Sequence, residues 1–344
     1  DQVIVSSALP ADGTKIIQSL RATDGSVLWE TRIPLVPYDL GRSTSHDTAS
    51  PAVDDERVYV TWVSADQYNV AALNRHTGEE VWRRNLSSFK SEHGAGGSPI
   101  RFGDLLIVPN DQAGPSSTLA LDCETGETRW RVDRRAVKTA FSTPAIYRPK
   151  GSGAELILAS TGHGVSSFDP DTGKLNWELP DVFGTIRVTG SPVVAGGLIF
   201  AQCGSGGSGK RMVAIKPPDQ AAGKPAEVAY QVDGSIPYVP TPVADGNWIF
   251  LWSDSGIVSC IDTRNGERVW RERVGGNYFG SPVLVGDRIY CISREGEVVV
   301  LAAKPEFELL GRTDLKEPSH STPAVAGGVM YLRTFSHLMA LAAD

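Results

Sequence analysis

The sequence predicts an all-β protein: an eight-bladed β-propeller of four-stranded antiparallel blades, with incomplete first and last blades. Seven blades is the alternative. A Ser/Thr-Pro pair recurs at Pro51, Pro99, Pro144, Pro192, Pro242, Pro282 and Pro323, about every 40 to 50 residues, which is the period of a propeller or a solenoid. A second marker, Gly-x-x-x-Trp, occurs at Gly25/Trp29, Gly78/Trp82, Gly126/Trp130, Gly173/Trp177 and Gly266/Trp270, and takes five of the eight tryptophans. Between the markers lie apolar, β-branched runs such as Arg57 to Val60, Leu198 to Ala201 and Arg288 to Cys291. They are too short and too closely bounded by turns to be helices.

The unit is cleanest between Ser98 and Trp130. A first strand opens at Ser98-Pro99-Ile100, a second is the run Leu105 to Val108, and a third carries Leu119 and Leu121 on one face. On the other face Ala120 leaves room for a bulky neighbour. Asp122 can accept hydrogen bonds from the amides of the following turn, and Gly126 can take the positive φ that ends it. The fourth strand buries the large ring of Trp130. Such a sheet cannot bury both faces alone, so copies must stack. The blades read as approximately 2–33, 49–86, 97–133, 142–179, 190–233, 240–274, 280–313 and 321–343 of a single domain.

Two copies depart from the pattern. After Met212 to Ile215 an insertion rich in Pro, Gly, Ala and Lys replaces the turn, and Tyr230 stands where tryptophan would. The copy after Leu301 lacks the Thr-Gly turn and ends on Phe307. At the start, Asp1 to Val5 aligns with Asp287 to Cys291, so the first strand of the first blade is missing. At the end, Thr322 to Ala343 supplies three strands and stops before a Gly-x-x-x-Trp strand. The chain is then two strands short of eight full blades and two beyond seven. Because it opens on Asp1 without methionine or signal peptide, it is expected to be processed or trimmed.

Composition narrows the class. With 36 Gly and 22 Pro against 41% hydrophobic and 8% aromatic residues, the chain is turn-rich and well cored, neither disordered nor membrane-spanning. No apolar run approaches the roughly 20 residues of a membrane helix. A net charge of −7, with 33 basic residues scattered along the chain, argues against nucleic acid as a partner. The four cysteines, Cys123, Cys203, Cys260 and Cys291, fall in different repeats and read as isolated thiols rather than a disulfide framework.

The string Ala120-Leu121-Asp122-Cys123-Glu124-Thr125-Gly126-Glu127-Thr128-Arg129-Trp130, repeated with Ser/Thr-Pro strands, resembles the tryptophan-docking motif of pyrroloquinoline-quinone-type β-propellers. The resemblance covers nearly the whole chain. That superfamily holds periplasmic quinoprotein alcohol dehydrogenases and also cofactor-free relatives, such as the propeller lipoprotein of the outer-membrane protein assembly machine. It implies a periplasmic or extracytoplasmic location, and the docking motif is structural in both branches, so fold alone does not decide function. The dehydrogenases typically carry a vicinal Cys-Cys disulfide over the quinone, a Glu/Asn calcium set and a catalytic Asp. No two cysteines are adjacent here, and the recurring acids Asp122, Asp169 and Asp262 belong to the repeat turn.

Other motifs dissolve. Gly204 to Lys210 matches the start of a phosphate-binding loop, but Arg211 stands where Ser or Thr would bind magnesium. Asp169 to Gly173 opens like a calcium loop without its closing glutamate. No metal site and no catalytic residue is assigned. The connections entering the Ser/Thr-Pro strands are less easily dismissed, since all lie at one mouth of the central channel. They carry His46, Asp47, His93, Lys138, Phe141, Arg187, Tyr238, Tyr278, Phe279 and His320, including three of the six histidines. The ligand or partner candidates among them are His46, Asp47, His93, Phe141, Arg187, Tyr238, Tyr278 and His320. The expected function is a non-catalytic binding or scaffolding propeller of the cell envelope, monomeric, with a protein partner or small ligand at this mouth. The alternative is an oxidoreductase using pyrroloquinoline quinone with calcium, or another metal, at the same place.

Overall fold

The computed structural model describes residues 2–41, 44–149, 151–206, 208–219 and 222–342. Asp1, Gly207 and Ala343, which the sequence reading includes in the first blade, a hairpin loop and the last blade, lie outside the described residues. The fold class is the predicted one, an all-β propeller of eight blades, and the described residues form eight antiparallel sheets. Among the described residues the only helical turn is a short 3-10 segment at Pro10–Asp12. The chain divides into two compact units, 1–187 and 188–344.

Each unit holds four sheets. In the first unit, blade 1 has three strands, Gln2–Leu9, Thr14–Arg21 and Val27–Pro34. Blades 2, 3 and 4 have four each and run from Ala52–Val53 to Glu80–Ser88, from Ile100–Phe102 to Thr128–Arg134, and from Ala145–Tyr147 to Leu175–Leu179. In the second unit, blade 5 runs from Val193–Ala195 to Glu227–Val232, blade 6 from Val243–Asp245 to Arg268–Arg273, and blade 7 from Val283–Val285 to Leu309–Asp314. Blade 8 has three strands, Ala324–Ala326, Val329–Arg333 and Leu338–Ala342. In every sheet sequential strands are neighbours.

The core lies between consecutive blades. One cluster joins Tyr59, Val70 and Trp82 of blade 2 to Leu106, Val108 and Leu121 of blade 3. Another joins Phe250, Trp252 and Cys260 of blade 6 to Ile289, Cys291 and Val299 of blade 7. Two repeated contacts explain the two sequence markers. The motif tryptophans reach the next blade's turn: the indole nitrogens of Trp29, Trp82 and Trp130 donate to the carbonyls of Arg75, Cys123 and Pro170 at 2.7, 3.0 and 3.0 Å. In the second unit Trp270 donates to Lys304 O at 3.2 Å. The motif glycines take φ of 70° to 78°, and the Trp130 ring lies so close over Gly173 that a Cβ there would sit 2.8 Å from it. The residues before proline form a belt. The amide of Ser50 donates to the Ser98 hydroxyl and that of Ser98 to Thr143. In the second unit Ser191 donates to Thr241, Thr241 to Ser281, and Ser281 to Thr322.

Each motif tryptophan stands opposite a small residue: Trp29 pairs with Ser19, Trp82 with Ala72, Trp130 with Ala120, Trp177 with Ser167 and Trp270 with Cys260. A register shift follows at each of these positions and fixes the ring's direction. Tyr230 takes this place in blade 5, opposite Ala214, and its hydroxyl donates to Thr263 O. Blade 7 corrects the sequence reading. Its fourth strand does not end on Phe307; Gly311 occupies the tryptophan position, opposite the larger Val300. Phe307 lies in the preceding turn, where it meets the edge of Trp270 at 5.3 Å. Trp177 also differs, donating to the Glu155 carboxylate of its own blade at 2.9 Å. All four cysteines are free and buried.

Candidate functional site

In an antiparallel blade the connection entering the first strand and the turn between the second and third strands lie at the same end. The Thr-Gly turns lie at the other. In the first unit the entering connections bring several predicted residues together. The His46 ring meets Tyr38 edge-on at 4.8 Å, and a Cβ added at Gly94 would lie 2.7 Å from the Tyr38 hydroxyl. His93 packs closely on Gly41, whose amide donates to Glu92 O at 2.8 Å. Phe141 lies 6.3 Å from His93, and Arg187 pairs with Glu92 at 3.3 Å.

Burial lowers the pKa of both histidines, and at His93 the Arg187 charge adds to it while Glu92 opposes. His46 Nδ1, His93 Nδ1 and Arg187 Nε are buried and, among the described residues, have no hydrogen-bond partner. Asp47 has an internal role. Its carboxylate binds the Lys15 ammonium at 2.5 Å and accepts from the Ser6 hydroxyl at 2.6 Å, with the Lys15 and Asp47 side chains 1% and 4% exposed. It therefore anchors the loop carrying His46. Lys138 is exposed.

In the second unit the second-to-third turns complete the loops. Residues 253–256, 293–296 and 334–337 are equivalent turns, and their second residues, Asp254, Arg294 and Phe335, each meet an entering connection. The Asp254 carboxylate accepts from the Tyr238 and Val239 amides, both at 2.9 Å, and pairs with Lys210 at 2.5 Å. Backbone bonds from Arg294 N to Asn277 O and from Phe335 N to Pro318 O fix the other two turns at 2.6 and 3.1 Å. Tyr278 has no exposed surface and packs on Trp252 at 5.3 Å, so its neighbour Phe279, rather than Tyr278, faces the loops.

Around His320 these pieces form a cluster. Its ring meets Phe279 at 5.0 Å and Phe335 at 5.1 Å. The Arg294 guanidinium lies 4.2 Å over the Phe279 ring, and its Nε donates to His320 Nε2 at 3.3 Å. Burial and the Arg294 charge lower the His320 pKa, which suits a neutral ring accepting that bond. Phe335 is 65% exposed. An open pocket of about 460 Å³ is lined by Arg294, Glu295, Pro318, His320 and Phe335. Burial favours the neutral form of Glu295, yet the bonds from the Asn277 side chain and amide outweigh it and bring the carboxyl down to about 2.

His320 is legible from the loop pattern; Arg294 and Phe335 are not, because they lie in second-to-third turns that the Ser/Thr-Pro marker does not flag. Strand alternation was the available signal for both. The four thiols are separate and buried, and among the described residues no group of three or more His, Cys, Asp or Glu could hold a metal ion.

Comparison with known proteins gives a consistent result. A family described as outer membrane protein assembly factor BamB matches residues 13–272, 219–305 and 254–344. The outer membrane protein assembly factor BamB of Yersinia pestis is 21% identical over 277 residues, covering 76% of this chain and 66% of its own length. The chain thus spans slightly less than two thirds of that relative. Among solved structures, BamB from Moraxella catarrhalis superposes with a TM-score of 0.67 at 16% identity, covering 99% of this chain and 95% of that one. A europium-containing methanol dehydrogenase gives 0.65 at 13% identity, covering 96% and 80%. The two solved structures share the fold.

Proposed function

The chain belongs to the family of outer membrane protein assembly factor BamB, and from that premise we propose that it is a non-catalytic scaffolding propeller of the cell envelope. In this reading it faces the periplasm and serves outer-membrane protein assembly by holding a protein partner on its loops. The observation that carries the reading is the cluster of Phe279, Arg294, His320 and Phe335. Exposed and half-buried aromatic and arginine side chains on rigidly held loops are the types that contribute most to protein recognition. His46, His93, Phe141, Arg187 and Tyr238 supply further loop side chains of the same kinds. Among the described residues no helix is long and apolar enough to cross a membrane.

The alternative, an oxidoreductase dependent on pyrroloquinoline quinone, draws on the methanol dehydrogenase fold. The separate thiols and the lack of a grouped donor set favour the scaffold. The test places a photo-crosslinking residue at position 279 or 335 of the full-length protein in its own cells. Crosslinks to an outer-membrane assembly protein are expected. Failure to crosslink any envelope protein from either position, with the propeller folded, would sink the docking reading. Dye reduction by the purified protein after adding the quinone with calcium would establish the enzyme instead.

A further inference from the structure

Around the pocket beside His320, hydrogen-bond partners are unequally distributed. Glu295 binds the Asn277 side chain at 2.9 Å and its amide at 3.2 Å. The nearby Glu317 carboxylate accepts from the Ser336 hydroxyl and amide, the Thr334 hydroxyl and His337 Nδ1. Both oxygens of each of these two carboxylates are therefore engaged by protein donors. Arg294 is not: Nε donates to His320 and the guanidinium face covers Phe279, while its terminal nitrogens meet no acceptor among the described residues. A planar guanidinium with two free terminal nitrogens matches a carboxylate bidentately. Stacking on Phe279 and the bond to His320 hold the fork in place before any ligand arrives, which reduces the ordering cost of binding.

The walls define the rest of the ligand. Phe335 is 65% exposed, and with Pro318 it gives the pocket an apolar side next to the cation. Resting on the reading of these loops as a protein-docking surface, we infer that this pocket takes the carboxylate of an Asp or Glu flanked by an aromatic residue on an extended segment of a partner protein. The carboxylate would meet the terminal nitrogens of Arg294, and the flanking ring would pack on Phe335. His320, as acceptor from Nε, sets the direction of the fork and is a positioning residue.

The experiment uses the folded protein and two synthetic peptides, acetyl-Gly-Phe-Asp-Phe-Gly-amide and the same peptide with Asn for Asp, titrated by calorimetry. The Asp peptide is expected to bind about tenfold more tightly, as a charge-assisted bidentate pair should. In Arg294→Gln that preference should disappear, because both the charge and the fork are lost. In Phe335→Ala both peptides should weaken together with the preference retained. Unchanged melting temperatures would show that the variants fold. Equal binding of the two peptides, a preference that survives Arg294→Gln, or no saturable binding of the Asp peptide would each overturn the inference. Phosphatidylglycerol vesicles form a further arm: sedimentation that depends on Arg294, without peptide binding, would assign the pocket to a lipid headgroup and overturn it too. Crosslinking to assembly proteins from position 335 alongside peptide failure would leave the docking reading standing and reject only the carboxylate.

Discussion

At the scale of single residues, the tryptophan marker is a cross-blade fastener. Trp130 is 9% exposed, its indole nitrogen donates to Pro170 O, and its ring covers Gly173. Trp130→Ala should cost about 3 to 5 kcal/mol, as other buried aromatic truncations do, measured as a shift of the urea midpoint. His93→Ala, on a partly exposed loop, should cost far less. A second residue carries a pH signature. His163 Nδ1 accepts from the Arg135 amide at 3.0 Å, and its side chain is 4% exposed. Burial first, then the charges of Arg134 and Arg135, push its pKa down to about 3. The unfolded imidazole binds a proton near its ordinary value of about 6.5. Its contribution is therefore fully present above about pH 6.5 and is lost as pH falls toward 3. Thermal melts across this window should show His163→Asn losing less stability on acidification than the parent, because asparagine keeps an acceptor and does not titrate. Parallel curves would contradict this.

At the scale of elements, the Ser/Thr-Pro marker is a strand-to-strand stitch. The residue before proline is held extended by the ring that follows, which aims its hydroxyl at the amide of the preceding blade. Ser281→Ala removes the acceptor for Thr241 N and should cost about 1 to 3 kcal/mol, the penalty of an amide left unsatisfied. Ser281→Thr should be nearly neutral, since Thr143, Thr241 and Thr322 hold the same place. Equal urea midpoints for the two variants would remove the belt's role. The blades also show where sequence patterns mislead. Phe307 was legible as an aromatic near the expected tryptophan position, but the register places Gly311 there. Lacking the Thr-Gly turn, blade 7 offers no sequence landmark for that register. Val300 opposite Gly311 shows the pair exchanging bulk between strands, which only the pairing could show.

At the scale of the whole molecule, all four thiols are buried, and burial raises the pKa of Cys203 to about 11 and of Cys260 to about 12. A thiolate-directed reagent should therefore react with no cysteine in the native protein and with all four after unfolding, and reductant should leave the melting temperature unchanged. Rapid labelling of the native chain would contradict the packing. The sequence by itself determined the fold class, the blade count and the fastening residues, because these rest on local patterns repeated until chance was ruled out: a small residue, a turn with an acidic acceptor, a glycine at positive φ and a ring. It also located His320 and Phe279 on the loops. Tertiary structure alone decided which loop residues are free to act. Asp47 is spent on Lys15, Tyr278 is enclosed by the core, and Arg294 and Phe335 arrive at His320 from turns 26 and 15 residues away in the chain. The physical reason is that a repeat writes its scaffold into every copy, whereas a site is made once, by side chains whose meeting depends on how neighbouring blades stack.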